Sequence, residues 1–122
     1  MAKTFNFRNA TLGGLTKRKV AILRQMRIPS GALRASYVRQ FLTCGKENCR
    51  CQRGMKHGPF HYLVQCLGVG SVRKFLLKTP ARREQAQKSI AAYAAFQEQL
   101  EELSQINTEL LRRGGLSDES SR

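Results

Sequence analysis

Three of the four cysteines of this 122-residue chain fall within eight residues, as Cys44-x4-Cys49-x-Cys51, and both histidines, His57 and His61, follow closely. The stretch reads CGKENCRCQRGMKHGPFH. Thiolates and imidazoles hold zinc in a tetrahedron at about 2.0–2.3 Å, so such ligands must converge from short, sharply bending segments. Gly45, Gly54, Gly58 and Pro59 supply the bends. The expected chemistry is a structural zinc knuckle, although the spacing differs from paired CxxC half-sites. A disulfide pair, a buried thiol cluster and a Cys49-x-Cys51 redox couple are the alternatives. The flanking Lys46, Glu47, Asn48, Arg50, Gln52 and Arg53 are not core-like. Met1 to Ala10 has no apolar run resembling a secretory signal, so a cytoplasmic setting with reduced thiols is expected, and that favours metal.

Cys44, Cys49 and Cys51 are three ligands of the expected site, and His57 is the expected fourth, separated from Cys51 by five residues and so within reach of a return loop. His61 and Cys66 are alternatives on what reads as a strand; Cys66 is expected to be buried there, and His61 exposed or packed.

Other chemistries lack their residues. A zinc deaminase needs an H-x-E glutamate and PCxxC, and a metal nuclease needs clustered carboxylates. Residues 1–83 contain one acid, Glu47. There is no phosphate-binding loop or dinucleotide fingerprint. The chain is therefore not expected to be an enzyme.

Charge is the dominant compositional feature, with a formal net charge of +14 and a pI of about 10.6. It is uneven: residues 1–83 hold 18 of the 22 Lys and Arg, whereas residues 84–122 hold four and seven acids. So positive a field attracts polyanions, nucleic acid above all. Lys46, Arg50, Arg53 and Lys56 lie among the presumed ligands, and Arg39, Arg73 and Lys74 would extend the surface across a sheet. Such cations grip phosphates and read little sequence. No apolar run reaches the ~20 residues that span a bilayer, so no membrane partner is expected.

These residues must be positioned by an α+β fold in one small domain. Residues 1–14 read as an arm carrying Phe5 and Phe7, in which Gly13-Gly14 breaks any helix. A short basic helix is expected over 16–27, capped by Thr16, stapled by Leu15 and Val20, burying Val20, Leu23 and Met26 or Ile22, and stopped by Pro29. Residues 32–43 read as a strand, and 60–67 and 71–78 as a hairpin around Gly68-Val69-Gly70. Together they make a small three-stranded antiparallel sheet with the knuckle at one end, in a basic region over 15–79. Residues 80–113 read as one long helix, with Thr79 as N-cap, Pro80 at its first position and Gly114-Gly115 after its end. Tyr93, Phe96, Leu100, Leu103, Asn107 and Leu110 follow a heptad spacing, which makes this helix a candidate coiled-coil dimerisation arm, with Asn107 fixing the register of a parallel pair. Residues 114–122 read as a disordered tail.

Gly31-Ala32-Leu33, Tyr37-Val38-Arg39, Cys44-Gly45-Lys46-x-x-Cys49-Arg50-Cys51 and Lys56-His57-Gly58-Pro59-Phe60-x-Tyr62-Leu63 resemble the pattern of a family of small bacterial zinc-knuckle proteins defined only as a domain of unknown function. The resemblance covers about residues 30 to 111. It implies a hairpin and one long helix after the knuckle, a histidine ligand at His57 with an aromatic residue usual at the position of His61, and a mobile-element context, but no activity. The composite expectation is a zinc-stabilised, basic nucleic-acid-binding protein, DNA rather than RNA, serving as a mobile-element or recombination accessory factor. The alternative is an adaptor that pairs with itself or with a recombinase, transposase or nuclease.

Overall fold

The structure is a computed structural model that describes residues 6–117. Phe5 of the expected arm and residues 118–122 of the expected tail lie outside the described residues. The elements run α1 (Leu12–Gln25), β1 (Ser36–Leu42), a 3₁₀ turn (Arg50–Arg53), β2 (His57–Gly68), β3 (Ser71–Leu76) and α2 (Pro80–Arg113). The chain divides into two compact units: Pro29–Ala94, and Met1–Ile28 with Ala95–Arg122. The expected division at 14/15 and 79/80 follows the chain, whereas the compact units gather the two ends of the sequence into one and the middle into the other.

In the unit Pro29–Ala94 the three strands form an antiparallel sheet in the order β1-β2-β3. Tyr37 pairs with Leu63 and Leu63 with Phe75, so these side chains share one face. On that face Leu63, Leu77 and Ala86 form a buried cluster with Leu33, Ala35, Tyr37 and Ile90 around it. The first turns of α2 thus cover one side of the sheet. Thr79 caps α2 as expected, its Oγ1 accepting from the Arg82 N–H at 3.2 Å. β1 starts four residues later than the pattern suggests, because Pro29 to Ala35 makes a turn and an approach segment, tied by the Leu33 N–H to the Ser89 carbonyl.

In the other unit α1 begins at Leu12, not after the glycines. Its N-cap is Thr11, whose Oγ1 accepts from the Gly14 N–H at 3.0 Å. The expected cap Thr16 lies inside the helix and back-bonds to the Leu12 carbonyl. Gly13 and Gly14 therefore occupy the first turn, where a side-chain cap offsets their poor helix propensity. The buried residues of α1 are Leu15 and Ile22, which meet Ile106 and Leu110, with Phe7, Ala10, Met26 and Leu103 packed alongside. Val20 and Leu23 are exposed, contrary to the expected face, because the stripe packed against Ile106 and Leu110 runs through Leu15, Ile22 and Met26 instead. Arg18 bonds Glu102 through two nitrogens at 2.6 and 2.8 Å. Arg113 donates to the carbonyls of Phe7, Arg8 and Ala10, so residues 7–10 are clamped to the end of α2. Leu110 and Leu103, expected at a dimer seam, pack within the chain. Past α2, the Gly115 N–H bonds the Leu110 carbonyl at 2.7 Å, and Gly114 takes the left-handed conformation that ends the helix.

Candidate metal centre

The ligand-bearing segment is the connection between β1 and β2. Leu42 ends β1 and pairs with His57 at the start of β2. Strand pairing therefore delivers Cys44 and His57 to the same place, although they are 13 positions apart in sequence. A register shift between Gln40 and Leu42 marks the end of the regular ladder. Gly58 fits this corner for a steric reason: its φ is 133°, and a Cβ there would lie 2.8 Å from the Gln40 carbonyl oxygen. Any other residue would push β2 off β1 immediately beside His57.

Between the strands, residues 43–56 fold back through the 3₁₀ turn, which Gly54 closes in the left-handed conformation. The turn carries Cys51 inward, where it is 3% exposed. The ligand atoms of Cys44, Cys49, Cys51 and His57 all lie within 4.8 Å of one another. The sulfurs of Cys44 and Cys51 are 3.5 Å apart, and Cys49 Sγ lies 2.9 Å from His57 Nε2. Three soft thiols and one imidazole nitrogen converging in this way can hold a metal ion.

The surroundings favour thiolate at one position and thiol at another. The Cys51 backbone N–H, with help from the side chains of Cys44, Cys51 and His57, lowers the pKa of Cys49 from 9.0 to about 6. At Cys51 the Cys44 backbone N–H acts to lower the pKa, but burial and the neighbouring thiols of Cys44 and Cys49 outweigh it, so the pKa is raised. The Cys44 N–H meets Cys51 Sγ at 3.2 Å. The side-chain amide of Gln52 donates to the Cys44 carbonyl at 3.1 Å and ties the turn to the end of β1. Sequence reasoning missed this outer support; a glutamine beside the third cysteine was its only signal.

The two alternative ligands are placed elsewhere. His61 Nδ1 is 2.6 Å from the Tyr37 hydroxyl, and burial, with Arg83 and Arg39 nearby, lowers its pKa. Cys66 sits near the β2–β3 turn and is exposed, not buried as expected, because its strand position faces away from the α2-covered side.

The basic residues are partly gathered. Lys46, Arg50, Arg53 and Lys56 are exposed on the ligand loop. Arg50 and Arg53 open and close the 3₁₀ turn, where positions three apart lie one above the other. Arg39 and Arg73 lie on the α2-covered face of the sheet, each with its guanidinium over a neighbouring ring, Phe41 and Phe75. Lys74 lies on the opposite face, over Tyr62 and bonded to Gln40. The expected continuous patch across the sheet is thus split, because adjacent residues of a strand point to opposite sides. Among the described residues no helix is long and apolar enough to cross a membrane.

Residues 15–68 match the model of a family described as a domain of unknown function, DUF6788. The match takes in most of α1 and all of β1, the ligand loop and β2; it is consistent with the family noted in the sequence over residues 30–68, extends further toward the N-terminus than that resemblance, and does not reach α2. No curated protein and no solved structure matches the chain.

Proposed function

We propose that this chain is a zinc-stabilised nucleic-acid-binding protein whose contact surface is the ligand loop itself. Zinc is the ion that the donor set suits. Three thiolates and an imidazole form a standard closed structural site, and the 3.5 Å separation of Cys44 and Cys51 sulfurs is near the ~3.8 Å edge of a tetrahedron with Zn–S bonds of about 2.3 Å. With four protein ligands no position is open to a substrate, so the ion supplies rigidity and not Lewis-acid chemistry.

The observation that carries the reading is the pairing of Arg50 and Arg53 on a turn whose second residue, Cys51, belongs to the candidate ligand set. Fixing Cys51 fixes the backbone from which both guanidiniums project, and Lys46 and Lys56 flank them. Four exposed cations on one short loop, with Glu47 as the one acid in residues 1–83, suit a row of phosphates. The α2-covered sheet face and the acidic second half of α2 are less suited to this role. Duplex DNA is the favoured partner, and the cellular role is that of an accessory factor in a mobile-element or recombination process. A second copy would multiply the phosphate contacts.

The test is the affinity of the zinc-loaded protein for labelled duplex DNA across a salt series, repeated after chelation. Binding that weakens steeply with salt and is lost on chelation supports the reading. Binding indifferent to chelation would remove the metal loop as the contact surface, and no binding at low salt would reject the function.

A further inference from the structure

We propose that Arg39, His61 and Arg83 form a site for one terminal phosphate group, on the sheet beneath the first turns of α2. The site lies apart from the ligand loop and does not rest on the nucleic-acid reading. Its residues come from three elements of the unit Pro29–Ala94. Arg39 on β1 pairs with His61 on β2, so their side chains are neighbours on the α2-covered face. Just past β3, the Leu77 N–H bonds the His61 carbonyl at 2.7 Å, and Arg83 Nε donates to the Leu77 carbonyl at 3.1 Å. These bonds hold the Arg83 guanidinium to the same row of the sheet.

Two observations select the ligand. The first is an uncompensated charge. Arg83, Ala86 and Ile90 fall within roughly 60° of one another around α2, and the last two pack on the sheet. Arg83 is half-buried on this otherwise apolar stripe, and taking a cation out of water without a counter-ion is costly. The unit holds two acids, Glu47 on the ligand loop and Glu84, which pairs with Lys88 at 3.2 Å. Among the described residues neither acid bonds Arg39 or Arg83, and Arg83 Nη1 and Nη2 have no partner.

The second is the set of donors. The Tyr37 hydroxyl lies 2.6 Å from His61 Nδ1. Burial, then the charges of Arg83 and Arg39, hold the His61 pKa below 6.5, so the ring is neutral at pH 7. The Tyr37 hydroxyl therefore donates to Nδ1 and the ring proton sits on Nε2, which has no partner among the described residues. Two guanidiniums and one N–H thus offer donors alone, with a charge of +2. A phosphate monoester, with acceptor oxygens and close to two negative charges at neutral pH, matches both. Arg39 is exposed, whereas His61 and Arg83 are half-buried, so the site opens toward the β1 edge and receives the end of a molecule. A small phosphate ester or the 5′-phosphate of a nucleic-acid strand has that form.

NMR titration of the His61 ring in the full, zinc-loaded chain tests the proposal. Inorganic phosphate is expected to raise the His61 pKa by about one unit over chloride at equal ionic strength, because a dianion beside the ring favours its protonated form. Arg39→Gln alters an exposed residue, so it should keep the wild-type circular dichroism and zinc content while weakening phosphate binding by about tenfold. Phosphate that moves the His61 pKa no more than chloride does, or that acts equally on Arg39→Gln, would overturn the site. A 5′-phosphorylated single strand, beside the same strand without that phosphate, identifies the carrier. A shift with the phosphorylated strand alone assigns the site to a strand end, and a shift with inorganic phosphate but with neither strand assigns it to a small ester. Equal shifts with both strands would overturn the terminal-group assignment. The duplex-binding salt series reads the ligand loop and not His61, so failure of either proposal leaves the other standing.

Discussion

Replacing Arg50 and Arg53 together by alanine is the most discriminating perturbation of the ligand loop. Both side chains are exposed, and neither is a ligand. The loop's remaining supports, the Gln52 bond to the Cys44 carbonyl and the closure at Gly54, do not use them. The variant should therefore bind the same amount of zinc and keep the wild-type circular dichroism. Its DNA binding should change by a calculable amount. Each phosphate neutralised by a cation contributes about −0.9 to the slope of log K against log salt. If Lys46, Arg50, Arg53 and Lys56 each hold one phosphate, the loop accounts for a slope of about −3.6, and the double variant loses about half of it. At ~0.15 M salt each such contact is worth a factor of about 5.5, so the pair is worth roughly thirtyfold in affinity. Fluorescence anisotropy with labelled duplex DNA at several salt concentrations reads both quantities.

The slope is the informative number. A fall in affinity with the slope unchanged would mean that the two arginines act on something other than phosphates, and a slope and affinity both unchanged would place the nucleic-acid surface elsewhere on the chain. Either result refutes the argument that a metal-fixed turn presents these two cations to a backbone.

Removing one ligand sulfur, as in Cys49→Ser, should reduce zinc from about one per chain to well below one by elemental analysis, and abolish duplex binding with it. Ile106 is fully buried, so Ile106→Ala should cost about 2–5 kcal/mol in urea unfolding, while zinc content stays at the wild-type level because Ile106 belongs to the unit without the ligands. Glu109 provides the acid dependence. Bonds from Arg112 and then Arg113 lower its pKa from 4.5 to about 2. Its contribution to stability is thus fully present above pH 4.5 and is lost as pH falls through about 2. Thermal unfolding of Glu109→Gln between those values should lack this part of the wild-type decline.

The sheet, the long helix and the ligand cluster were legible because each rests on a local signal. Thr79-Pro80 and Gly114-Gly115 mark both ends of α2 within the sequence, and its bounds, Pro80–Arg113, match the expected 80–113. The four candidate ligands could be named because cysteines among charged residues have few other uses. What could not be read locally was the partner of each apolar stripe. Leu103 and Leu110 fit a heptad, but heptad spacing does not say whether the covering helix comes from the same chain, and α1 takes that place. Ile106 escaped notice because the stripe was drawn through Asn107 beside it. The start of α1 was misplaced because glycines usually break helices, whereas here Thr11 caps them. The clamp from Arg113 to residues 7–10 joins positions more than 100 apart, which no pattern signals.

Why a basic loop should be built around a metal follows from its composition. The connection over residues 43–56 has one buried side chain, Cys51, and is otherwise exposed or half-exposed. Apolar burial therefore cannot order it, and fixing each residue of backbone costs about 1–2 kcal/mol. Its four cations repel one another, which opposes compaction further. Few backbone bonds span it; those of Cys49, Gln52, Gly54 and Met55 hold the turn but not its attachment to the sheet. A closed thiolate–imidazole site meets each of these demands. It would bind the turn at Cys49 and Cys51 to the two strand ends at Cys44 and His57, and a binding energy of the order of 10 kcal/mol, that of structural zinc, would offset a substantial part of that entropy. Three thiolates on a divalent ion also leave a net negative site beneath the cations, which lowers the cost of holding them together. On this argument the metal and the charge are one device, and the loop should lose order and nucleic-acid affinity in the same chelation titration, at the same midpoint. Separate midpoints would show that the cations are held in place by something other than the ion.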